Sequence, residues 1–204
     1  TPWCSPSPST SPPASSDRAM TEAEFVTLVQ QNPINRLILE RLPALGLDGA
    51  YLTAGCLFQA VWNHRTGQPM AANVNDYDVF YHDSSDLSWE AEDRIIRKAA
   101  VAFADLDARI EVKNQARVHL WYHDRFGSSC PALESAEDGI GRFPVRGTCV
   151  GLQATTNRLF APFGLDDIAE GLLRPNPAVP LTARFTAKAR SYQARWPHLR
   201  ILPL

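Results

Sequence analysis

Asn73-Val-Asn-Asp-Tyr-Asp-Val-Phe-Tyr81 decides how this chain is read. Tyr77, Val79 and Tyr81 alternate with Asp76, Asp78 and Phe80, and the run is β-favouring, which predicts a strand. Residues two apart in a strand project to one side, so Asp76 and Asp78 stand together with Cα atoms roughly 7 Å apart. Two such carboxylates repel unless a cation sits between them. Hard oxygen donors of this kind suit Mg²⁺ or Mn²⁺, which fill their remaining positions with waters and substrate phosphates. The plainer alternative is a strand meeting solvent with two ordinary surface acids.

Upstream, Ala50-Tyr-Leu-Thr-Ala54 reads as a strand running into Gly55-Cys56, with a helix from Leu57 to His64. A strand, a glycine and a helix start leave backbone N–H groups free at the positive end of a helix dipole, where a phosphate is favoured. Alone, the same glycine needs no role beyond a tight turn. Arg65 to Asn75 is a flexible connection. Earlier still, Thr21-Glu-Ala-Glu24 forms a capping box for a helix bearing Phe25, Leu28 and Val29. Asn32-Pro33 caps and starts a second helix, with Ile34, Leu37, Ile38 and Leu42 as its apolar stripe. Residues 1–19 are Ser/Pro/Thr-rich and without a signal-peptide apolar core, so they are expected to be disordered, with Met20 as a candidate natural start.

Downstream, Ser88 caps a helix whose stripe is Trp89, Ile96, Ala99, Phe103 and Leu106. Asp107 to Lys113 is the next strand, Ile110 and Val112 facing one way, Glu111 and Lys113 the other. If the extended run continues, Gln115 and Arg117 fall on the side of Glu111. His119 and His123 share a side, but two histidines without a third ligand make a weak metal site. Ser135-Ala-Glu-Asp138 is another capping box, Val145 to Gln153 has strand character, and a short helix runs through Ile168 and Leu172. A last helix, about Thr182 to Arg195, carries Phe185, Ala189 and Tyr192, with Trp196 just beyond. From Gly171 onward there is no acid, while Arg174, Arg184, Lys188, Arg190, Arg195 and Arg200 are basic. That skew suits a polyanion, although a solvated face is the commoner meaning of such bases.

Bulk properties narrow the class. With 204 residues, 45% apolar, the chain can build one real core. Twenty-two acids against 20 bases give a net charge of −2, so nothing global points to nucleic acid or membrane. Cys4, Cys56, Cys130 and Cys149 are scattered without Cys-x-x-Cys spacing, against a zinc knot or a disulfide framework and in favour of a reducing cytoplasm. No repeat is visible.

The order of these elements is more specific than any one of them. Strand, glycine at a helix start, helix, Asp-x-Asp strand, helix, and a strand with one further carboxylate resembles the nucleotidyltransferase superfamily with the DNA-polymerase-β-like core. Ala54-Gly-Cys-Leu-Phe-Gln-Ala-Val-Trp-Asn63, Asn75-Asp-Tyr-Asp-Val-Phe-Tyr81 and Asn114-Gln-Ala-Arg-Val-His-Leu-Trp-Tyr122 resemble blocks of a bacterial nucleotidyltransferase-like subfamily. Ala161-Pro-Phe-Gly-Leu-Asp-Asp167 with Arg174-Pro-Asn-Pro177 is similar to its C-terminal signature. The resemblance covers about Met20 to the C-terminus. It implies an α+β fold, a small mixed or antiparallel sheet flanked by helices, as a single domain with a C-terminal helical extension from about residue 160.

It also implies metal-dependent transfer of a nucleoside monophosphate from an NTP to an acceptor hydroxyl. Asp76, Asp78 and Glu111 would hold the metal, with Glu111 orienting or deprotonating the acceptor. Gly55 would let the backbone approach the phosphates, the amides of Cys56 and Leu57 would meet them, and Lys113 or Arg117 would neutralise pyrophosphate. The family pattern allows a serine where Cys56 stands, and a thiol is the weaker donor. The acceptor, whether small molecule, protein or RNA end, is not implied. Three rivals remain: a non-catalytic binding module on this fold, a haloacid-dehalogenase-type phosphatase with Asp76 as nucleophile, and an Asp-x-Asp glycosyltransferase. The phosphatase would need its motif on the first strand of a Rossmann-like sheet, and the glycosyltransferase leaves Gly55 without a role.

Overall fold

The computed structural model describes residues 19–179 and 183–202. The expectation of disorder over 1–19 lies almost wholly outside them. Two short helices, α1 (Glu22–Val29) and α2 (Pro33–Arg41), open the fold, each capped as its sequence predicts, by Thr21 with Glu24 and by Asn32. β1 (Tyr51–Thr53) leads through Ala54 into α3 (Gly55–Arg65), and β2 (Tyr77–Tyr81) follows the connecting loop. α4 (Trp89–Ala102) then packs against β3 (Ile110–Asn114).

The extended run expected beyond β3 does not continue. Asn114 turns the chain by accepting from the Ala116 amide through its side chain, and a 3₁₀ turn at Gln115–Arg117 passes into α5 (Val118–Phe126). Gln115 and Arg117 therefore do not share the face of Glu111, and His119 and His123 sit four apart on a helix. α6 (Ala136–Ile140), β4 (Gly151–Gln153), β5 (Leu159–Phe160), α7 (Asp166–Glu170), β6 (Leu172–Leu173), α8 (Ala183–Arg195) and β7 (Arg200–Ile201) complete the order.

Five strands form one sheet in the order β3-β2-β1-β4-β5, antiparallel except for the β2–β3 pair. This is the mixed α+β architecture expected, and it lacks the parallel Rossmann-like sheet that the phosphatase reading requires. The alternation in β2 divides the sheet. Tyr77, Val79 and Tyr81 enter the main core with Leu52, Val112 and Leu152, while Tyr51 and Phe80 join Ala136 and Ile140 in a smaller cluster. Asp78 takes the second face, on the same side as Phe80.

α8 is seated by aromatic packing. Trp62 of α3 stands 5.5 Å from Tyr192 and 5.3 Å from Trp196 between ring centroids, and Phe58 stands 5.4 Å from Tyr192. The Trp196 indole N–H donates to Asn63 Oδ1 at 2.8 Å, and that of Trp62 donates to the Ile168 carbonyl at 3.1 Å. Both polar tips are thus satisfied while the rings are buried. No described helix is long and apolar enough to cross a membrane.

Candidate active site

β2 and β3 run parallel with Asp78 opposite Glu111 and Phe80 opposite Lys113. Residues facing each other across two strands point to one side, so the two carboxylates are neighbours. Lys113 Nζ lies 3.0 Å from Asp78 Oδ1 and 2.6 Å from Glu111 Oε2, and Arg109 Nη2 lies 2.5 Å from Glu111 Oε1. Burial pushes the Asp78 carboxyl above the usual carboxylate range; Lys113 opposes it, and the charges of Asp76 and Glu111 add to the rise. At Glu111 burial also pushes upward, but the links to Lys113 and Arg109 outweigh it and hold the carboxyl below its ordinary value. Lys113, desolvated yet flanked by two carboxylates, keeps its proton more firmly than usual.

Asp76, one residue before β2, is half-buried, and its charge acts on Asp78, Cys56 and Tyr192. The aspartate pair, the start of α3 and the face of α8 therefore converge. The three carboxylates have the hard-oxygen chemistry that a divalent cation takes. Among the described residues, however, no three His, Cys, Asp or Glu side chains are gathered to cage an ion, and Lys113 already compensates Asp78 and Glu111. Lys113 offsets part of the repulsion expected of such a cluster, and the charges of Asp76 and Glu111 still act on Asp78.

The turn before α3 carries backbone strain. Ala54 has φ 62° and ψ −142°, a region a side chain rarely occupies. Ala54→Gly is expected to stabilise the protein by about 1 kcal/mol, strain relief exceeding the extra unfolded-state entropy; urea denaturation measures it, and a loss of stability would show the turn unstrained. Gly55 serves packing within the helix: a Cβ there would stand 2.5 Å from Gln59 Nε2, whose side chain lies across the first turn. Cys56 faces inward, with its thiol donating to the Thr53 carbonyl at 3.2 Å, and burial pushes that thiol well above its ordinary value. Its comparison with serine as a phosphate donor therefore does not arise. The Leu57 amide already donates to the Ala54 carbonyl at 3.1 Å. Gly55 and Cys56, in the first turn, keep amides without an intrahelical acceptor.

Arg117 is held away from these groups. It is 8% exposed, paired with Glu92, and its Nε donates to the Leu87 carbonyl at 3.0 Å. Two cations of α8, Arg184 and Lys188, face the cleft along with Lys113 and Arg125, while Arg190 and Arg200 are exposed as a solvated face would have them. Arg184, Lys188, Ser191 and Tyr192, at helical spacing, line one cleft with Ala54, Asp78 and Lys113, and Asp78 is the one acid among its lining residues. Arg195, a further turn along, donates to the Asn73 carbonyl at 3.0 Å and so ties α8 to the loop before β2. The absence of acids after Gly171 was the available signal; only the seating of α8 on Trp62 decides which way its bases point.

The segments at the C-terminal signature brace the opposite wall. Asp167 accepts from Arg146 Nε at 2.6 Å and faces Arg174 Nε at 3.3 Å, while Asn176 Nδ2 donates to the carbonyls of Gly141 and Phe143 at 2.7 and 2.9 Å. Together they hold the 141–149 loop, which supplies Phe143, Pro144, Val145 and Thr148 to the cleft.

Residues 40–201 match the family described as Nucleotidyltransferase. A solved NMR structure described as revealing a CCA-adding enzyme head domain aligns with a TM-score of 0.70 over 89% of this chain and 96% of that chain. The two are 24% identical in sequence, so the likeness establishes the fold. Among curated proteins there is no match.

Proposed function

This chain belongs to the nucleotidyltransferase family, and from that premise we propose that it moves a nucleoside monophosphate from an NTP to an acceptor hydroxyl. The observation that carries this reading is the in-register pairing of Asp78 with Glu111, with the charge of Asp76 acting on Asp78 and Asp78 itself facing Ala54 and the cations of α8. Transfer of this kind needs charge neutralisation and in-line positioning more than covalent help. Asp76 and Asp78 would hold a divalent cation, which supplies charge neutralisation for the phosphates in the transition state.

Arg184 and Lys188 draw the triphosphate against α8, and the Gly55 and Cys56 amides meet it from the start of α3. The acceptor oxygen attacks the α-phosphorus, the bond to the β-phosphate bridging oxygen breaks, and pyrophosphate leaves with the electron pair. Glu111 lies nearest to the incoming hydroxyl and takes or directs its proton. Since its carboxyl is held low, orientation is its larger contribution.

The protein incubated with Mg²⁺ and each labelled NTP, alone and with cell extract, is expected to transfer label to an acceptor. The absence of both transfer and calorimetric NTP binding in every arm would defeat the proposal. Replacing Arg184 and Lys188 together by Gln is expected to raise the KM for NTP about tenfold, the loss of charge-assisted contacts to phosphate. An unchanged KM would remove α8 from the nucleotide site.

A second reading, a binding module that keeps this fold without catalysis, gains one observation. Lys113 pairs with both Asp78 and Glu111 from within the chain, so part of their charge is compensated with no ion. Melting temperatures with and without Mg²⁺ in the presence of NTP separate the two, equality favouring the module.

A further inference from the structure

The cleft continues beyond the carboxylates into a second pocket on the same face of the sheet, with Phe80, Lys113, Phe143 and Arg184 lining both. Its floor is the pair Phe80 and Lys113, one step along the register from Asp78 and Glu111. Its walls are Trp121, Tyr122 and Phe126 of α5, facing Phe143 of the 141–149 loop. Arg125, Arg142 and Arg184 line it, no acid does, and among the described residues none of these arginines lies within 4.0 Å of a carboxylate, although the charge of Arg125 reaches Glu111. Arg184 is held by the rings themselves, 3.9 Å above the Phe126 centroid and donating to the Tyr122 hydroxyl at 2.6 Å.

We propose, on the basis of the transfer reading above, that this pocket receives the acceptor, and that the acceptor is a nucleoside 5′-phosphate. Flat rings and guanidinium planes favour a stacked heterocycle. With Arg184 turned to the triphosphate, a neutral base would still leave Arg142 without counter-charge, so the occupant carries an anionic group of its own. Arg142 lines this pocket and not the Asp78 cleft, which puts the anion's anchor at the far end from the carboxylates. Two residues of strand, roughly 7 Å, separate the Phe80 and Lys113 pair from Asp78 and Glu111. A ribose spans that interval: base over Phe80 and Phe143, phosphate at Arg142, a sugar hydroxyl directed to Glu111.

The test is binding, without transfer. AMP, CMP, GMP and UMP, their nucleosides and inorganic phosphate are titrated into the intact protein by calorimetry, with no Mg²⁺ and no NTP. At least one monophosphate is expected to bind tenfold or more tightly than both its nucleoside and phosphate. Arg142→Gln should weaken that monophosphate about tenfold and leave its nucleoside unchanged, with Arg142→Lys recovering part of the loss; thermal melting checks that each variant is folded. A saturating non-hydrolysable NTP analogue with Mg²⁺ should leave monophosphate binding in place. Mutual exclusion would assign the pocket to the donor's own base and overturn the proposal, as would monophosphates binding no better than phosphate. If the monophosphate binds but no transfer is found in any arm, the enzyme reading fails while the pocket assignment stands.

Discussion

Asp78→Asn is expected to lower nucleotidyl transfer by about 10³-fold or more, several kcal/mol of transition-state stabilisation lost with the charge that holds the cation, while the protein stays folded. Asp78 is the residue where the site's elements meet: opposite Glu111, under Lys113 and across the cleft from α8. Its burial explains why the fold should tolerate the change. Because the folded-state carboxyl sits above its unfolded value, ionised Asp78 detracts from stability at neutral pH, and the penalty fades as pH falls through the raised value. Asn removes that penalty but takes a partner from Lys113, so the net change in melting is small. The same shift sets the pH profile. Transfer requires Asp78 ionised, so at limiting Mg²⁺ the acid limb should lie above the range of an ordinary aspartate, and saturating Mg²⁺ should move it down, since the cation favours the carboxylate. Steady-state rates from pH 4 to 8, with circular dichroism of the variant, check both statements. Full activity in folded Asp78→Asn would dismantle the site.

Asp167→Ala is expected to destabilise the protein by about 3 kcal/mol, because removing one partner of a buried ion pair leaves charge uncompensated. Asp167 is 4% exposed and stands between Arg146 and Arg174. Both guanidiniums keep partial access to water, at 33% and 39% side-chain exposure, which limits the effect to the lower end of the usual span. Asp166, next in sequence but exposed, is the internal control: its replacement by Ala should change stability by no more than about 0.5 kcal/mol. Urea denaturation of both variants measures the contrast. Equal midpoints would mean that the Arg146–Asp167–Arg174 group adds nothing to the bracing of the cleft wall.

Local chemistry carried much of this protein from sequence alone. The alternation around Tyr77 to Tyr81, the caps at Thr21, Asn32, Ser88 and Ser135, and the order of strand, glycine turn and Asp-x-Asp strand depend on spacing and side-chain type, which neighbours cannot alter. They were enough for the fold, and the register of β2 and β3 sets Asp78 beside Glu111. Where the chain turned after Asn114 was not legible, because one side-chain hydrogen bond to the Ala116 amide outweighed a strand-like pattern. Nor was the fate of individual charges. Lys113 bridging two acids, Arg117 buried on Glu92 and α8 presenting Arg184 and Lys188 to the cleft are decided by strand register and by aromatic packing between α3 and α8. An electrostatic partner is a matter of distance in space, and that is what only the tertiary structure supplies.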